Sequence, residues 1–266
     1  MADMKRMAGR RVLVTGGAGE IGHAVARRLA DEGAAIALLD IDRDKLDAVA
    51  DRFAGQDVEI TRHVCDVTDA AAVADTVSAI ERHAGPIYAL FNNAGYQGAF
   101  APVHQYPGED FARVMQINVT GAFHILQAVS ARMVATGGGA IVNTASMAGV
   151  SGPPNMPAYA ASKSAMIGLT LTAAKDLAPH AIRVNAVSPG FIGPGFMWER
   201  QVEQQAAADS PYYARDPATV ADQMIASVPM ARYGQLEEIA GVVAFLLSDD
   251  ASYMTGTNLP IAGGGQ

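Results

Sequence analysis

Cysteine, long apolar runs and basic clusters are all scarce in this sequence. Cys65 is the only cysteine among 266 residues, so an intrachain disulfide is excluded, and no cysteine or histidine spacing suggests a metal site. The longest apolar run, Val242 to Leu247, is far shorter than the roughly 20 residues of a membrane-spanning helix. No apolar run follows the basic N-terminal residues, as a signal peptide would require. We therefore expect a cytoplasmic protein that neither enters a membrane nor holds a metal ion.

The charge balance is acidic. The chain has 19 lysines and arginines against 27 aspartates and glutamates, and its formal net charge is −8. This balance argues against a nucleic-acid partner. Half of the residues are hydrophobic (50%), which is ample for a large core, and a length of 266 residues favours one domain, 1–266.

The first forty residues contain a pattern typical of dinucleotide binding. An apolar strand at 11–15 runs into T-G-G-A-G-E-I-G at 15–22, and a helix and a second apolar strand, ending in Asp40, follow. The glycines let the backbone approach a pyrophosphate, and the helix N-terminus supplies free N–H groups. Asp40 should bind the adenosine ribose and repel a 2′-phosphate, which favours NAD over NADP. Alternatively, Asp40 caps a helix that starts near Arg43.

Strand-like and helical segments alternate through the rest of the chain. This alternation predicts an α/β fold: a Rossmann-type, doubly wound parallel sheet of about seven strands with helices on both faces. The further strands are expected at 57–66, 86–91, 140–145, 182–187 and 258–261, and the further helices at 69–83, 109–115, 118–134, from 157 onward and at 235–247.

Tyr159 and Lys163 form the most distinctive pair of reactive side chains. They lie four residues apart in a helical pattern, so they share one helix face. A nearby cation favours the phenolate form of a tyrosine and can make it a working base. Ser146 follows the strand at 140–145 and therefore stands at the carboxyl edge of the sheet. Taken alone, the pattern favours an ordinary surface pair of a helix, because such tetrapeptide spacings are common.

Together these motifs resemble the short-chain dehydrogenase/reductases over essentially the whole chain. The matching segments are the loop at 15–22, N-N-A-G at 92–95, Y-x-x-x-K at 159–163 and P-G at 189–190. More narrowly, G-P-P-N-M at 152–156 and P-G-F-M-W-E-R-Q at 194–201 resemble bacterial NAD-dependent xylitol dehydrogenases.

Two positions depart from the family pattern. Glu20 stands where the family usually has glycine, and we expect its carboxylate to turn outward, away from a pyrophosphate. Pro194 stands where a threonine often meets the nicotinamide carboxamide, so backbone groups around Ile192 would hold that carboxamide instead.

The resemblance implies a catalytic set of four residues. Tyr159 would be the base, Lys163 would lower its pKa and bind the nicotinamide ribose, and Ser146 would hold the substrate oxygen. Asn118 would hold a water that links Lys163 to solvent, although Asn118 is equally plausible as a helix N-cap. Asp66 would contact adenine or, alternatively, cap the next helix.

The resemblance also implies which residues surround the ligands. The expected cofactor residues are Gly16, Gly19, Glu20, Ile21, Gly22, Asp40, Asp66, Val67, Asn93, Ala94, Gly95, Tyr159, Lys163, Pro189, Gly190 and Ile192. The expected substrate residues are Gln97, Ser146, Met147, Asn155, Tyr159 and Trp198, with 191–228 as a lid. Gln97 and Asn155 could instead be loop residues, and Trp198 could be a packed core residue.

The function implied is hydride transfer between a polyol and its ketose, with NAD as cofactor. A ketone or 3-oxoacyl-thioester reductase and a catalytically silent NAD-sensing protein are the alternatives. The resemblance further implies a homotetramer joined through the helices of Asn118 and Tyr159 and the last strand. The residues proposed near that contact are His124, Leu126, Met166 and Leu169.

Overall fold

Seven parallel strands form the central sheet, in the order β3-β2-β1-β4-β5-β6-β7. The computed structural model describes residues 5–55 and 57–265. The strands are β1 (Arg11–Thr15), β2 (Ala35–Asp40), β3 (Ile60–Val64), β4 (Ile87–Asn92), β5 (Gly139–Thr144), β6 (Ile182–Pro189) and β7 (Asn258–Ile261). The chain crosses over between β3 and β4, so a crevice opens at the carboxyl ends of β1 and β4, where such sheets bind ligands.

Helices cover both faces of this sheet, so the predicted doubly wound α/β fold is confirmed. The helices are α1 (Glu20–Asp31), α2 (Arg43–Asp51), α3 (Ala70–Ala84), α4 (Gly108–Met115), α5 (Ala122–Thr136), α6 (Ala148–Ser151), α7 (Pro157–Leu177), α8 (Phe196–Ala207), α9 (Pro217–Ala226) and α10 (Leu236–Leu247).

Two apolar layers bury the sheet, because successive residues of a strand face opposite sides. Val12 and Val14 pack in one cluster with Leu29 of α1 and Val243 of α10. Leu13 faces the other way and packs in a cluster with residues of α3, α5 and α7. All of these side chains are fully buried.

The helix that carries Asn118 differs from its prediction. Instead of two separate helices, α4 and α5 are joined by a π-helical turn, Gln116–Gly121, in one continuous rod. Asn118 lies in the middle of this turn and is almost fully buried. The alternative that Asn118 is a helix N-cap is therefore wrong. Hydrophobic periodicity does not reveal a single π turn, because it shifts the pattern by only one residue.

The 191–228 segment is more regular than the sequence suggests. It forms a helical hairpin of α8 and α9 with its own small core, which includes Val202, Val220 and Met224. Helix α9 was not predicted, although Pro217 occupies its first turn and Asp216 caps it by accepting a hydrogen bond from the backbone N–H of Thr219 (3.0 Å).

Two residues proposed for a subunit contact lie inside the chain. Leu126 is 4% exposed and Met166 is 1% exposed, so both belong to the core. The exposed large apolar side chains on α5 and α7 are Phe123 and Val134 of α5 and Leu171 of α7. No helix among residues 5–55 and 57–265 is long and apolar enough to span a membrane.

Candidate active site

The glycine loop places backbone N–H groups at the start of α1. Gly16 has a φ of +63°, a conformation that glycine adopts without strain. A Cβ at Gly22 would lie only 2.1 Å from the carbonyl oxygen of Gly16, so the close approach of loop and helix requires glycine there. The N–H groups of Glu20, Ile21 and Gly22 have no acceptor among the described residues. Gly19 is the N-cap of α1. This arrangement suits an anion.

Glu20 connects this loop to the start of α8. Its Oε1 accepts a hydrogen bond from the N–H of Phe196 (2.9 Å), and its Oε2 accepts one from Met197 (3.4 Å). A carboxylate is favourable at a helix N-terminus, where N–H groups lack intrahelical acceptors. Glu20 therefore points towards α8 rather than simply outward. Sequence alone offers no signal for this contact, because its partners lie far away along the chain.

Asp40 lies at the carboxyl end of β2, beside the glycine loop. Its Oδ2 accepts a hydrogen bond from the N–H of Ala18 (3.0 Å), and its Oδ1 accepts one from Asp42 (3.2 Å). Asp42, not Asp40, caps α2 by accepting from the N–H of Lys45 (3.1 Å), so the capping alternative for Asp40 is wrong. Asp40 also lines a cavity of about 460 Å³ at this edge of the sheet.

The same cavity is lined by Asp66, Val67 and Gly95. The Asp66 carboxylate accepts hydrogen bonds from the N–H and hydroxyl of Thr68 (2.9 and 2.8 Å). Asp69 caps α3, so the capping alternative for Asp66 is wrong too. Cys65 also borders the cavity, but it is buried and burial raises the pKa of its thiol, which makes it a poor nucleophile.

Asn93 fastens the end of β4 to the end of β1. Its side-chain N–H₂ donates to the carbonyl oxygen of Thr15 (3.2 Å), and its Oδ1 accepts from the hydroxyl of Thr144 (3.2 Å). The Thr15 hydroxyl in turn accepts a hydrogen bond from the N–H of Ala94 (3.1 Å). These contacts fix the small residues Ala94 and Gly95 along the wall of the crevice.

Asn118 is held in place by the loop that follows β4. Its Oδ1 accepts from the N–H of Tyr96 (2.7 Å), and its Nδ2 donates to the carbonyl of Tyr96 (2.8 Å) and to the hydroxyl of Ser162 (3.0 Å). A Cβ at Gly95 would lie 3.4 Å from Asn118 Oδ1 and 3.7 Å from Lys163 Nζ. The missing side chain of Gly95 therefore keeps a small space open between Asn118 and Lys163.

Tyr159, Ser146 and Lys163 converge at the carboxyl end of β5. Lys163 is 4% exposed, and its Nζ donates to the carbonyl oxygen of Thr144 (2.7 Å). The same nitrogen lies 5.6 Å from the centre of the Tyr159 ring. The Ser146 hydroxyl accepts a hydrogen bond from the N–H of Ala148 (3.1 Å).

The ionisation of this group corrects one expectation. Burial raises the pKa of Tyr159, and a hydrogen bond with Ser146 opposes this effect only in part. Burial also lowers the pKa of Lys163, to about 8. The sequence predicts that Lys163 lowers the pKa of the Tyr159 phenol. In the protein alone this prediction is wrong, because the Tyr159 pKa lies above its usual value. The cost of burying both groups exceeds the benefit of placing them near each other.

The Pro-Gly loop forms the other side of the site. The carbonyl of Pro189 accepts a hydrogen bond from the N–H of Met147, and the N–H of Gly190 donates to Ile261 of β7, both at 2.9 Å. The backbone N–H and carbonyl of Ile192 have no hydrogen-bond partner among the described residues, so both remain available to a ligand.

A pocket of about 240 Å³ lies between Ser146 and Tyr159 on one side and α8 on the other. Trp198 lines this pocket, and it also packs against Phe191 and Tyr233, with ring centroids 5.9 and 5.6 Å away. Trp198 therefore both lines the pocket and packs against aromatic neighbours. Met147 also lines the pocket.

Gln97 and Asn155 are both attached to α8 rather than to their own loops. Gln97 is bonded to Arg200 and Gln201, and Asn155 donates to the Oε1 of Gln205 (2.8 Å). Gln97 lines the pocket, but Asn155 is only 6% exposed and lies behind Gln205.

Sequence reasoning missed three pocket residues on α8, Met197, Gln201 and Gln205. Their spacing of four residues places them on one helix face, and this periodicity is the signal that could have found them.

Comparisons with known proteins agree with this architecture. A family model described as enoyl-(acyl carrier protein) reductase matches residues 16–266. A crystal structure of an NAD⁺-bound xylitol dehydrogenase is 62% identical, with a TM-score of 0.96, and the match covers 97% of this chain and 99% of that chain. The levodione reductase of Leifsonia aquatica is 40% identical over 261 residues, which are 97% of this chain and 95% of the relative. A 3-oxoacyl-[acyl-carrier-protein] reductase of Thermotoga maritima is 35% identical over 259 residues, 97% of this chain and 98% of the relative.

Proposed function

Because the chain belongs to the short-chain dehydrogenase/reductase family, we propose that it is an NAD-dependent polyol dehydrogenase. It would transfer a hydride between a secondary alcohol of a xylitol-like polyol and the corresponding ketose. The observation that carries this proposal is the convergence of Ser146, Tyr159 and Lys163 beside a pocket whose lining includes the glutamine side chains of Gln97, Gln201 and Gln205. The 62% identity to a xylitol dehydrogenase supports the same substrate class.

The residues of the crevice fit a dinucleotide. The unpaired N–H groups of Glu20, Ile21 and Gly22 suit a pyrophosphate, and the small residues at 94–95 leave room along the crevice. The Asp40 carboxylate suits ribose hydroxyls and disfavours a 2′-phosphate, because two anions would repel each other. Its neighbour Ile41 is 64% exposed and offers no cation. The nicotinamide ring, when bound, supplies the hydride-accepting carbon.

The chemical roles follow from the geometry of the catalytic set. Tyr159 takes the proton of the substrate hydroxyl, and Ser146 holds the same oxygen and stabilises charge that develops on it. Lys163 is mostly protonated at neutral pH, because its pKa is about 8, and its charge would offset part of the burial cost that keeps the Tyr159 pKa above its usual value in the protein alone. The space beside Gly95 admits a water between Lys163 and Asn118, through which the proton leaves.

The 191–228 segment acts as the lid of the substrate pocket. Helix α8 contributes Trp198, Gln201 and Gln205 to the pocket wall, so substrate specificity and lid position depend on the same helix. The attachment of Glu20 to the start of α8 links the lid to the cofactor loop.

A reductase acting on a ketone or a 3-oxoacyl thioester is the second candidate. The identities to levodione reductase and to the 3-oxoacyl reductase favour it, as does the apolar part of the pocket, which includes Met147 and Met197. Initial rates with xylitol, sorbitol, ribitol, simple secondary alcohols and ketones, each with NAD(H) and NADP(H), separate the candidates. We expect the highest kcat/KM for xylitol with NAD. A protein that reduces ketones with NADPH but ignores polyols would refute the proposal, and one without turnover would indicate a sensor.

We also propose a homotetramer in the cytoplasm, as the family resemblance implies. The exposed Phe123 and Leu171 on α5 and α7 support a contact through these helices, in place of the buried Leu126 and Met166. Sedimentation of Phe123→Ser and Leu171→Ser variants tests this contact. Smaller assemblies are the expected result.

A further inference from the structure

The substrate pocket has a wall of three glutamines whose oxygen atoms are all engaged by the protein. The wall comprises Gln97, Gln201 and Gln205. We infer that this wall presents N–H donors to the pocket while each of its oxygens already accepts a hydrogen bond from the protein, with the orientation of Gln97 and Gln201 set by Arg200, and that it selects substrates whose distal groups accept hydrogen bonds. This inference rests on the proposed polyol function and specifies how the distal part of the substrate is recognised.

Arg200 determines the orientation of Gln97. A guanidinium has donors but no acceptor, so the Gln97 atom that lies 2.9 Å from Arg200 Nη1 must be the carbonyl oxygen. Arg200 is itself held by a second hydrogen bond, from Nη2 to the carbonyl oxygen of Gly98 (2.9 Å). The amide of Gln97 is therefore fixed with its nitrogen directed away from Arg200.

Gln97 then determines the orientation of Gln201. The nitrogen of Gln97 lies 3.3 Å from Gln201 and donates to it, so the facing atom of Gln201 must be its carbonyl oxygen. The nitrogen of Gln201 has no acceptor among the described residues, so its hydrogens are available to a substrate. Arg200 thus orients two amides in series.

The orientation of the Gln205 amide is fixed by a different set of contacts. A backbone carbonyl can only accept, so the Gln205 atom that lies 3.3 Å from the carbonyl oxygen of Pro154 must be its nitrogen. The oxygen of Gln205 accepts from Asn155 (2.8 Å), which also donates to the Ser210 hydroxyl (2.9 Å). One N–H of Gln205 remains free, and each carbonyl oxygen of the wall already accepts one hydrogen bond from the protein.

A wall of this kind distinguishes ligands that accept hydrogen bonds from ligands that can only donate them. A hydroxyl oxygen can accept from an amide N–H, and so can a carboxylate. An ammonium group has only donors, so against this wall it would lose its hydration, leave the facing N–H groups without a partner, and bond only to oxygens that already accept a hydrogen bond. Polyols are accepted for this reason, and amino-polyols of the same length should be rejected.

The test compares xylitol with its 1,5-diamino-1,5-dideoxy analogue at neutral pH. The analogue carries an ammonium group at both ends, so neither orientation avoids the wall. The wild-type protein should show a kcat/KM for xylitol at least about tenfold above that for the analogue, because an unpaired buried donor costs about one to a few kcal/mol. In Gln201→Glu, a carboxylate replaces the free donor, and this ratio should fall by about tenfold or invert.

Arg200 is tested as a positioning residue by its effect on KM. In Arg200→Met the two amides are free to rotate, so the KM for xylitol should rise several-fold while kcat for a simple secondary alcohol stays unchanged. Arg200→Lys keeps a donor towards Gln97 and should restore part of the loss. An unchanged substrate ratio in Gln201→Glu, or equal losses for xylitol and the simple alcohol in Arg200→Met, overturns the inference. Failure of the wild-type protein to oxidise xylitol would refute the proposed function instead.

Discussion

Replacement of Lys163 by methionine should stabilise the protein at neutral pH while abolishing its activity. Lys163 is buried, and burial lowers its pKa from an ordinary value of 10.5 to about 8. The folded chain therefore disfavours the charged form that the unfolded chain prefers. By linkage, a pKa difference of this size costs about 3 kcal/mol of stability at pH 7.

Two opposing contributions set the net effect. The substitution removes the cost of burying a charge, but it also leaves the carbonyl oxygen of Thr144 without the hydrogen bond from Lys163 Nζ (2.7 Å). That loss costs about 1 kcal/mol. We therefore expect Lys163→Met to raise the free energy of unfolding by about 2 kcal/mol at pH 7.

The pH dependence distinguishes this explanation from improved packing. The unfolded chain holds the Lys163 proton up to about pH 10.5, whereas the folded chain releases it near pH 8. Between these values the unfolded state binds more protons, so the wild-type protein gains stability as the pH rises. The variant lacks this gain. The difference in the free energy of unfolding between the variant and the wild type should therefore shrink by about 2 kcal/mol between pH 7 and pH 9.5.

Guanidinium titrations of both proteins at the two pH values, at one protein concentration, measure these differences. Lys175→Met is the matched control, because Lys175 lies on the same helix but is exposed, and it should change stability little at either pH. The assignment of a buried charge would be refuted if the extra stability of Lys163→Met over the wild type did not depend on pH, or if the variant were less stable than the wild type at pH 7.

Four further variants test the proposed roles. Tyr159→Phe should abolish turnover but leave NADH binding intact, as measured by fluorescence titration; retained turnover removes Tyr159 as the base. Asp40→Ser combined with Ile41→Arg should shift the kcat/KM ratio towards NADP, and an unchanged ratio would contradict ribose recognition by Asp40. Trp198→Ala should raise the KM for xylitol more than the KM for NAD, whereas the opposite result would limit Trp198 to packing. Gly95→Ala should lower kcat with little change in melting temperature, since the methyl group fills the space between the proposed relay groups; a full kcat would argue against that relay.

The sheet and its crevice could be predicted because their signals are local. Each strand is a short apolar run, and the glycine loop at 15–22 requires a close approach that only glycine allows. The proximity of Tyr159 and Lys163 could be predicted for the same reason, because their spacing on one helix is a local feature as well.

The substrate wall could not be predicted because its contacts join distant parts of the chain. Gln97 meets α8 across more than a hundred residues, and nothing near Gln97 in sequence specifies Arg200 as its partner. The ionisation of Tyr159 escaped prediction for a similar reason. Sequence spacing shows which charge lies nearby, but the pKa also depends on how deeply the fold buries both groups.

The contact of Glu20 with the start of α8 has a consequence for protein engineering. In a chimera that receives its glycine loop from a relative with glycine at position 20, the N–H groups of Phe196 and Met197 would lose their acceptor. Exchange of the glycine loop alone would thus loosen the helix that lines the pocket. The two segments form one module, and they should be transplanted together.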